Sequence, residues 1–494
     1  MNAVSRKIGS LALIAAALMS VLWASPVGAA VDGSWSALGT GIDLAVYALA
    51  ADAAGNLYAG GTFTSAGGVA ANHIAKWDGH NWSPLGNGVG DYGVYALALD
   101  GRGNLYAAGW FTTAGAGAAN YVARWDGQNW SALGSGTNGQ VMALAVDGNG
   151  NLYAGGYFTT AGGVTVNHVA KWDGQTWSAL GSGTTGLVLA LAVDAGGNLY
   201  AGGSFLRAGG GVVNNVARWD GQNWSALGTG TDGSQVSSLA TGIGGELYAG
   251  GYFTTVGGVA ANHIAKWDGA NWAGLGSGTN ERPLSLVVDA SGHLYAGGWF
   301  TAADGAEADY VAAWDGNTWS ALGGGSLYDS AVISLALDGS GNLYAGGLFS
   351  FIHEPNGRYL SVGRVAQWNG GLPTVRFSRE TFNVSEAGGM ATLLVTLSAT
   401  ANTTILVNYA TNDGTAVAGS HYTAATGTLT FTPGVTSQSF NVPITDDSVY
   451  QMNRTLNVTL SSPTGAALGM PNTAVLAIVD DDAPYQAYLP QLTK

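Results

Sequence analysis

Between Trp35 and Trp368 the apolar positions follow one pattern, written seven times. In the unit that starts at Val94, "VYALALD" is small and apolar, and it fits a strand packed in a crowded interior. Asp100-Gly101-Arg102-Gly103 carries turn chemistry. "NLYAAGWF" from Asn104 to Phe111 predicts a second strand. A longer Gly/Ala-rich loop follows, then "NYVARW" as a third strand and "WSALGSG" as a fourth. The third and fourth are joined by a short connection such as "KWDGHNWSPLG". This predicts a hairpin with Asp78-Gly79 in the turn and Trp77 facing Trp82 across the strands. The repeated Tyr falls at 58, 106, 153, 200, 248, 295 and 344, a spacing of 47 to 48 residues until the last unit. That last unit carries the longest insertion, "FSFIHEPNGRYLSVG".

A period of this size, with four short strands per unit, predicts a seven-bladed β-propeller. The order of motifs predicts how it closes. "WSALG" occurs once ahead of the first "LYAGG", at Trp35, and is missing after the last "QWNG". Trp368 should therefore take Trp35 as its partner, so that the first strand completes the seventh blade and no sheet edge is left free. After a short Gly/Pro linker the period changes. Segments such as "ATLLVTLS", "TTILVNYAT" and "QSFNVPIT" alternate with period two and predict an immunoglobulin-like antiparallel β-sandwich. The expected organisation is a signal peptide at 1–30, the propeller at 31–370, a linker at 371–373, the sandwich at 374–482 and a tail at 483–494.

Composition narrows the function classes. Residues 1–30 have a basic start at Arg6 and Lys7, an apolar stretch from Ile8 to Trp23, and small residues at Val27-Gly28-Ala29-Ala30. This predicts a cleaved secretory leader and no transmembrane segment afterwards. The tail "APYQAYLPQLTK" shows no anchor signal. The expected place is extracellular, secreted or held at the cell surface. The chain has no Cys, which excludes thiolate metal sites and thiol chemistry. Its net charge is −15, or −17 once Arg6 and Lys7 leave with the leader, and such a surface repels nucleic acid. A monomer is expected.

Several repeated features invite a functional interpretation. The "DxxGNLY" turn has one carboxylate per unit, at Asp52, Asp100, Asp147, Asp194, Asp289 and Asp338, with Thr241 in the remaining one. Calcium needs several converging oxygens, so an Asp-capped turn is expected instead. His73, His168 and His263 share a slot with Tyr121, Asn215, Tyr310 and Arg364, and no shared metal is expected. The "NWS" triplets at Asn81, Asn129 and Asn223 match a glycosylation acceptor, but they fall inside the repeated hairpin turn. The slot before the repeated Phe is the informative one: Thr62, Trp110, Tyr157, Ser204, Tyr252, Trp299 and Leu348. It leads into the loop between second and third strands, on the same face as the variable loops "GVGDYGV", "GTNERPL" and "GSLYDSAV". Trp110, Tyr157, Tyr252 and Trp299 are the candidate ligand-binding residues, with a neutral glycan as first partner and a protein loop as second. Alternation along a strand leaves a second outcome open, in which all four are core.

In the C-terminal segment, "VSEAGG" (384–389), "NDGTAVAGSHY" (412–422), "ITDD" (444–447), "LNVTLSSPTGAALG" (456–469) and "IVDDD" (478–482) occur in order. Together they resemble the Calx-beta domain, a family that includes calcium-sensing domains of sodium/calcium exchangers. The resemblance implies a Ca²⁺ site in loops at one end of the sandwich, with Glu386, Asp413, Asp446, Asp447, Asp480, Asp481 and Asp482 as candidate ligands. The sequence departs from the family at Gln451, Arg454 and His421, and Arg454 has the charge to neutralise the cluster in place of the metal. A weak, extracellular-type site is expected. The propeller repeats resemble secreted bacterial repeats with a "GGxF…WDG…W..LG" pattern and, more loosely, kelch and WD repeats. That likeness implies architecture, not activity.

The expected function is a non-enzymatic binding or adhesion protein, its propeller a recognition scaffold and its sandwich a Ca²⁺-linked spacer. Two alternatives stay open: a secreted propeller enzyme acting on glycans, and a structural coat component. Acidic residues in the variable loops are few: Asp43, Asp91, Asp232, Glu281, Asp304, Glu307, Asp309, Asp329 and Glu354. No motif pairs two of them, so no catalytic residue is assigned.

Overall fold

The computed structural model describes residues 34–322, 326–353, 358–369, 373–397, 404–432, 434–469 and 471–482. The expected leader at 1–30, Glu354, most of the linker and the tail at 483–494 lie outside the described residues. The described part is all-β apart from one short 3-10 turn.

Seven four-stranded antiparallel sheets form the blades. The first runs Val46–Ala51, Leu57–Gly61, Ile74–Trp77 and Trp82–Pro84 from inside out. Its inner strand touches the inner strand of the second blade, Gly93–Leu99, and that of the seventh, Val332–Leu337, so the ring closes. The seventh blade takes its outer strand from the other end of the chain. Ser34–Ala37 pairs with Val365–Asn369, and Trp35 stands opposite Trp368 with ring centroids 5.3 Å apart. The other six blades have the expected Trp pair at 5.4 to 5.6 Å.

The outer Trp also ties each blade to the one before it. Trp82 Nε1 donates to the Leu38 carbonyl at 2.9 Å, and Trp130, Trp177, Trp224, Trp272 and Trp319 repeat this bond to Leu85, Leu133, Leu180, Leu227 and Leu275. Trp35 is the exception. Its indole nitrogen is buried without a hydrogen-bond partner, so the closing strand lacks the tie that the continuous blades have.

The second glycine of "LYAGG" has a backbone reason. In every blade the inner strand carries a bulge near its start, after its first or second residue. The bulge swings a carbonyl against that glycine: a Cβ on Gly156 would lie 2.2 Å from the Gln140 oxygen, and one on Gly61 2.0 Å from that of Ala45. The next residue is the variable slot, and its N–H donates to the same carbonyl, as in Tyr157 to Gln140 at 2.8 Å and Tyr252 to Gln235 at 2.9 Å.

The Asp turns are caps, as expected, but in the fifth blade the equivalent place is Gly242, whose N–H donates to the Glu246 carbonyl, and not Thr241. Asp147 Oδ1 accepts from the backbone of Asn149 and Asn151, and Oδ2 from the Asn151 amide at 2.7 Å. The Tyr153 hydroxyl also donates to this carboxylate, and burial followed by the nearby Asp147 charge pushes the phenol up to about 12. The His73 slot is a backbone corner. All seven of its occupants have positive φ, from 65° to 72°, and the His73 carbonyl accepts from Gly61. In the first six blades the Gly/Ala-rich stretch is not a plain loop. It forms a two-stranded hairpin, as at Ser65–Ala66 with Val69–Ala70. Rungs of two residues are too short to leave a periodicity. In the seventh blade three strands replace it: Ser326–Tyr328, Phe351–His353 and Tyr359–Ser361.

The C-terminal sandwich forms as expected, with one difference. One sheet is ordered Ser437–Pro443, Met390–Leu397, Thr374–Phe377, Ala467–Leu468. The other is ordered Thr381–Ser385, Thr473–Val479, Arg454–Thr464, Ile405–Asn412, Thr426–Phe431. Phe377, Phe382, Phe431, Phe440 and Tyr422 fill the core between them. The sandwich is not wholly antiparallel. Thr381–Ser385 runs parallel to Thr473–Val479, and Thr374–Val375 parallel to Ala467–Leu468. The reason is that the first extended segment changes sheets after Phe377, so its two halves lie in different sheets, each beside a late strand of the domain.

Two stability comparisons follow from this packing. Trp82→Phe should cost about 1 kcal/mol more than Trp35→Phe, because only Trp82 loses a hydrogen bond and strands a buried carbonyl. Equal losses in chemical denaturation would mean that the indole–carbonyl tie contributes nothing. Gly156→Ala should cost about 1–3 kcal/mol by forcing Cβ against backbone. Gly148→Ala, where a Cβ meets nothing within 4 Å, should be close to neutral.

Candidate functional site

At one end of the sandwich the strand pairings gather carboxylates. The parallel register sets Ser385 opposite Val479, which places the following residues, Glu386 and Asp480, side by side. Glu386 sits in the single 3-10 turn Glu386–Gly388 and is 3% exposed. The rung between Met390 and Pro443 brings the Asp446-Asp447 loop to the same end. Glu386, Asp480 and Asp482 each offer one oxygen, and the three oxygens lie within 4.8 Å of one another. Asp480 Oδ1 and Asp482 Oδ2 are buried with no hydrogen-bond partner.

This arrangement is electrostatically costly. Burial, and then the charges of Asp447, Asp480, Asp482 and Asp446, hold the Glu386 carboxyl above its usual range. Asp482 is raised likewise, by burial first and then by Asp480 and Asp447. A divalent cation takes six to eight oxygens and removes both the repulsion and the orphaned lone pairs. The donor set therefore fits Ca²⁺, which Glu386, Asp480 and Asp482 would hold, with Asp446 and Asp447 within electrostatic reach.

The remaining candidates do other work. Asp481 accepts from the Ser385 hydroxyl at 2.5 Å. Asp413 is outside the cluster: it accepts from the Tyr422 hydroxyl at 2.6 Å and the Ala418 N–H at 2.9 Å, and these bonds hold it below the usual carboxylate range. It ties its own loop instead of facing Glu386. Arg454 does not sit on a carboxylate. Its Nε donates to Gln451 Oε1 at 2.9 Å, and one terminal nitrogen donates to the Thr415 carbonyl at 3.1 Å. Gln451 in turn donates through Nε2 to Asp447 at 3.0 Å and through its backbone N–H to Asp480 at 2.9 Å. The two departures from the family pattern thus form one relay at the rim. His421 Nδ1 accepts from the Val417 N–H and closes a turn.

On the propeller the four slot aromatics are open to solvent. Trp110, Tyr157, Tyr252 and Trp299 are 39%, 49%, 41% and 38% exposed. All four are exposed, so the alternative in which all four are core is excluded. Tyr92, from a variable loop, lies against Trp110 with centroids 4.1 Å apart. Arg282 stands over the Tyr252 ring at 4.2 Å. The inserted strands of the seventh blade bury Leu327 and Ile352 and expose Tyr328, Phe351 and Tyr359. Sequence reasoning marked these loops as variable but missed Tyr92, Arg282 and the seventh-blade aromatics. The composition of the quoted loops was the available signal.

The acidic loop residues are largely committed to the backbone. Asp43 accepts from the Thr64 and Ser65 N–H groups, Asp91 from Thr112, Asp232 from Thr254 and Thr255, and Asp329 from Ser350. Asn138 and Asn280 do the same in their blades, which makes this a structural slot hidden inside variable loops. Asp304 accepts from Ser277, and Glu281 from the N–H of Arg282. The axial channel encloses about 200 Å³, lined by residues such as Tyr47, Tyr95, Met142, Ser237, Leu284 and Ile333, and no ionisable acid or base other than Tyr contributes to the lining. In the "NWS" turns the side chain at work is Asp78, whose Oδ1 accepts from the Asn81 N–H; Asn81, Asn129 and Asn223 are exposed. No helix among the described residues is long and apolar enough to cross a membrane.

The C-terminal part is similar to known proteins. The family model described as "Calx-beta domain" matches residues 371–482. The chain is 32% identical over 133 residues to sodium/calcium exchanger 1 of Rattus norvegicus, covering 23% of this chain and 14% of that protein. It is 39% identical over 77 residues to sodium/calcium exchanger Calx of Drosophila melanogaster, covering 15% and 8%. The crystal structure of the apo-form Calx CBD1 domain is 33% identical and is matched over 99% of its length and 22% of this chain, with a TM-score of 0.21. The chain thus spans only a small part of the exchangers it resembles. The ordered motifs, the sandwich and the family match agree: residues 371–482 are a Calx-beta domain.

Proposed function

We propose that this chain is a non-enzymatic recognition protein that works outside the cell or at its surface. Its Calx-beta domain binds Ca²⁺ through Glu386, Asp480 and Asp482, and its propeller displays an aromatic face that holds a glycan. The observation that carries the calcium assignment is the pair of buried carboxylate oxygens on Asp480 and Asp482 with no partner, facing the buried Glu386. Arg454 supports it by its position, since it spends its donors on Gln451 and Thr415 and leaves the cluster's charge uncompensated. Three carboxylates with few further protein oxygens match a weak site, of the millimolar kind suited to an extracellular module. The bound metal would join the first extended segment to the last strand and stiffen that end of the domain.

Two features support a binding face over an active site. The channel lining has no carboxylate, and the loop acids Asp43, Asp91, Asp232 and Asp329 already cap backbone N–H groups. The slot aromatics offer rigid apolar faces at low entropic cost, and such faces stack on sugar rings. A glycan is therefore the first partner and a protein loop the second.

For calcium, millimolar Ca²⁺ should raise the melting temperature of the sandwich transition in the full chain at pH 7, by linkage to the native state. The pH dependence has a definite sign. Glu386 and Asp482 bind protons more tightly folded than unfolded, so without metal the stability these two groups contribute is present at low pH and is lost as pH rises through their raised range, whereas the depressed Asp413 contributes with the opposite sign at lower pH. Protons compete with the metal over the same range, so the Ca²⁺ shift should grow with pH and vanish under acid. Glu386→Gln should abolish the shift and make the metal-free domain more stable at pH 7. A Ca²⁺ shift of full size in Glu386→Gln would sink the assignment. For the face, Trp110→Ala with Trp299→Ala should weaken binding on a glycan array at least tenfold. Each substitution should also cost some stability, because both rings are partly covered and Trp110 packs on Tyr92, so binding is compared where the variant is fully folded. Undiminished binding would move the ligand elsewhere.

A further inference from the structure

Arg282 stands apart from the other residues of its slot. It stands directly ahead of Pro283 at the start of the sixth blade's inner strand, a place held by Ala45, Gly93, Gln140, Leu187, Gln235 and Ala331 in the others, none of them charged. Its guanidinium lies over the Tyr252 ring of the fifth blade, 4.2 Å from the centroid, and its carbonyl accepts from the N–H of Trp299 in the sixth. It therefore joins the slot aromatics of two adjacent blades. Its Nε is buried with no hydrogen-bond partner. Among the described residues the ion pairs are Lys266–Glu246 and His293–Asp289, so Arg282 has no carboxylate partner. The adjacent Glu281 turns its carboxylate to the Arg282 backbone N–H instead. In a chain with 31 acidic and 16 basic residues, an arginine held on an exposed ring without an anion is an unfilled position. A guanidinium stacked on an aromatic face keeps its donor edge free for a planar anion, and carboxylate is the best geometric match.

We propose that Arg282, with Tyr252 and Trp299, forms a subsite for one carboxylated sugar, a uronic acid residue, within an otherwise neutral glycan. This rests on the propeller face being a glycan-binding face. A uronic acid presents from one residue both the apolar ring face that an aromatic takes and the in-plane carboxylate that Arg282 takes. The net charge of −15 argues against a polyanion, because every further carboxylate on the ligand is repelled by the surrounding surface. One acidic residue among neutral ones keeps the attraction local. It also sharpens the neutral-glycan expectation, since neutral residues remain the ligands of Trp110 and Tyr157, where no cation stands.

The test uses the full chain on an array of matched pairs: neutral oligosaccharides, the same oligosaccharides bearing one glucuronic acid, the methyl esters of those acids, and acidic peptides. The acid form should bind at least tenfold tighter than both its neutral parent and its ester. Arg282→Gln should erase that preference, bringing acid, ester and neutral parent to one affinity. Arg282→Lys should restore only part of it, because charge remains but the planar donor pair is lost. Equal binding of acid, ester and parent overturns the carboxylate subsite and leaves the recognition face standing. Binding of no sugar overturns both. Acidic peptides bound in an Arg282-dependent way, with uronic acid pairs indifferent, overturn the sugar assignment.

Discussion

The bulge in each inner strand is the constraint on which the propeller's surface depends. It pushes a backbone carbonyl to within 2.4 Å of where a Cβ would stand on the second glycine of every repeat, from Gly61 to Gly347. Only glycine accepts that approach, and the bulge in turn re-aims the chain that follows. The next residue hangs from the same carbonyl in blades such as those of Tyr157, Tyr252 and Trp299, and so leaves the interior. The repeated geometry of the interior thus leaves a slot whose identity is free, and a ring of such slots becomes a face.

The sandwich reaches its site by a different route. No local motif holds Glu386 beside Asp480; 94 positions of chain separate them, and a parallel pairing of two edge-proximal strands aligns their ends. The outcome is a set of buried carboxylates whose mutual repulsion the protein alone leaves unrelieved. Arg454 shows this by contrast. Its sequence position makes it a natural counter-charge, yet the rung between Arg454 and Ile478 sends its side chain toward Gln451 and Thr415. The relay Arg454–Gln451–Asp447 stiffens the rim without entering the cluster, which is why a departure from the family pattern is compatible with a site that still fits a metal.

Repeat proteins hide functional differences under structural sameness, and here the reverse also holds. Asp43, Asp91, Asn138, Asp232, Asn280 and Asp329 lie in loops that look unrelated, but all cap the same pair of backbone N–H groups or part of it. What distinguishes the blades is carried by a few positions that no repeat rule governs: Tyr92, Arg282 and the aromatic side chains of the inserted strands in the seventh blade.

The sequence by itself determined the number of blades, the Trp35–Trp368 closure, the capped Asp turns, the sandwich and its family, because each is written in local period, turn chemistry or ordered motif. It also named the aromatic slot and all the acidic residues of the candidate metal site. Which way the slot points, which of the seven acidic candidates converge, and where Arg454 spends its charge were decided only in three dimensions. The slot side chain is exposed where its N–H hangs from a carbonyl of the neighbouring inner strand, a contact between strands that composition does not record. Convergence of Glu386 with Asp480 and Asp482, and the exclusion of Asp413, depend on strand pairing between distant segments and on a Tyr422 hydroxyl that claims Asp413 first. Local sequence encodes local geometry, whereas the meeting of charges far apart in the chain is set by how the sheets pair.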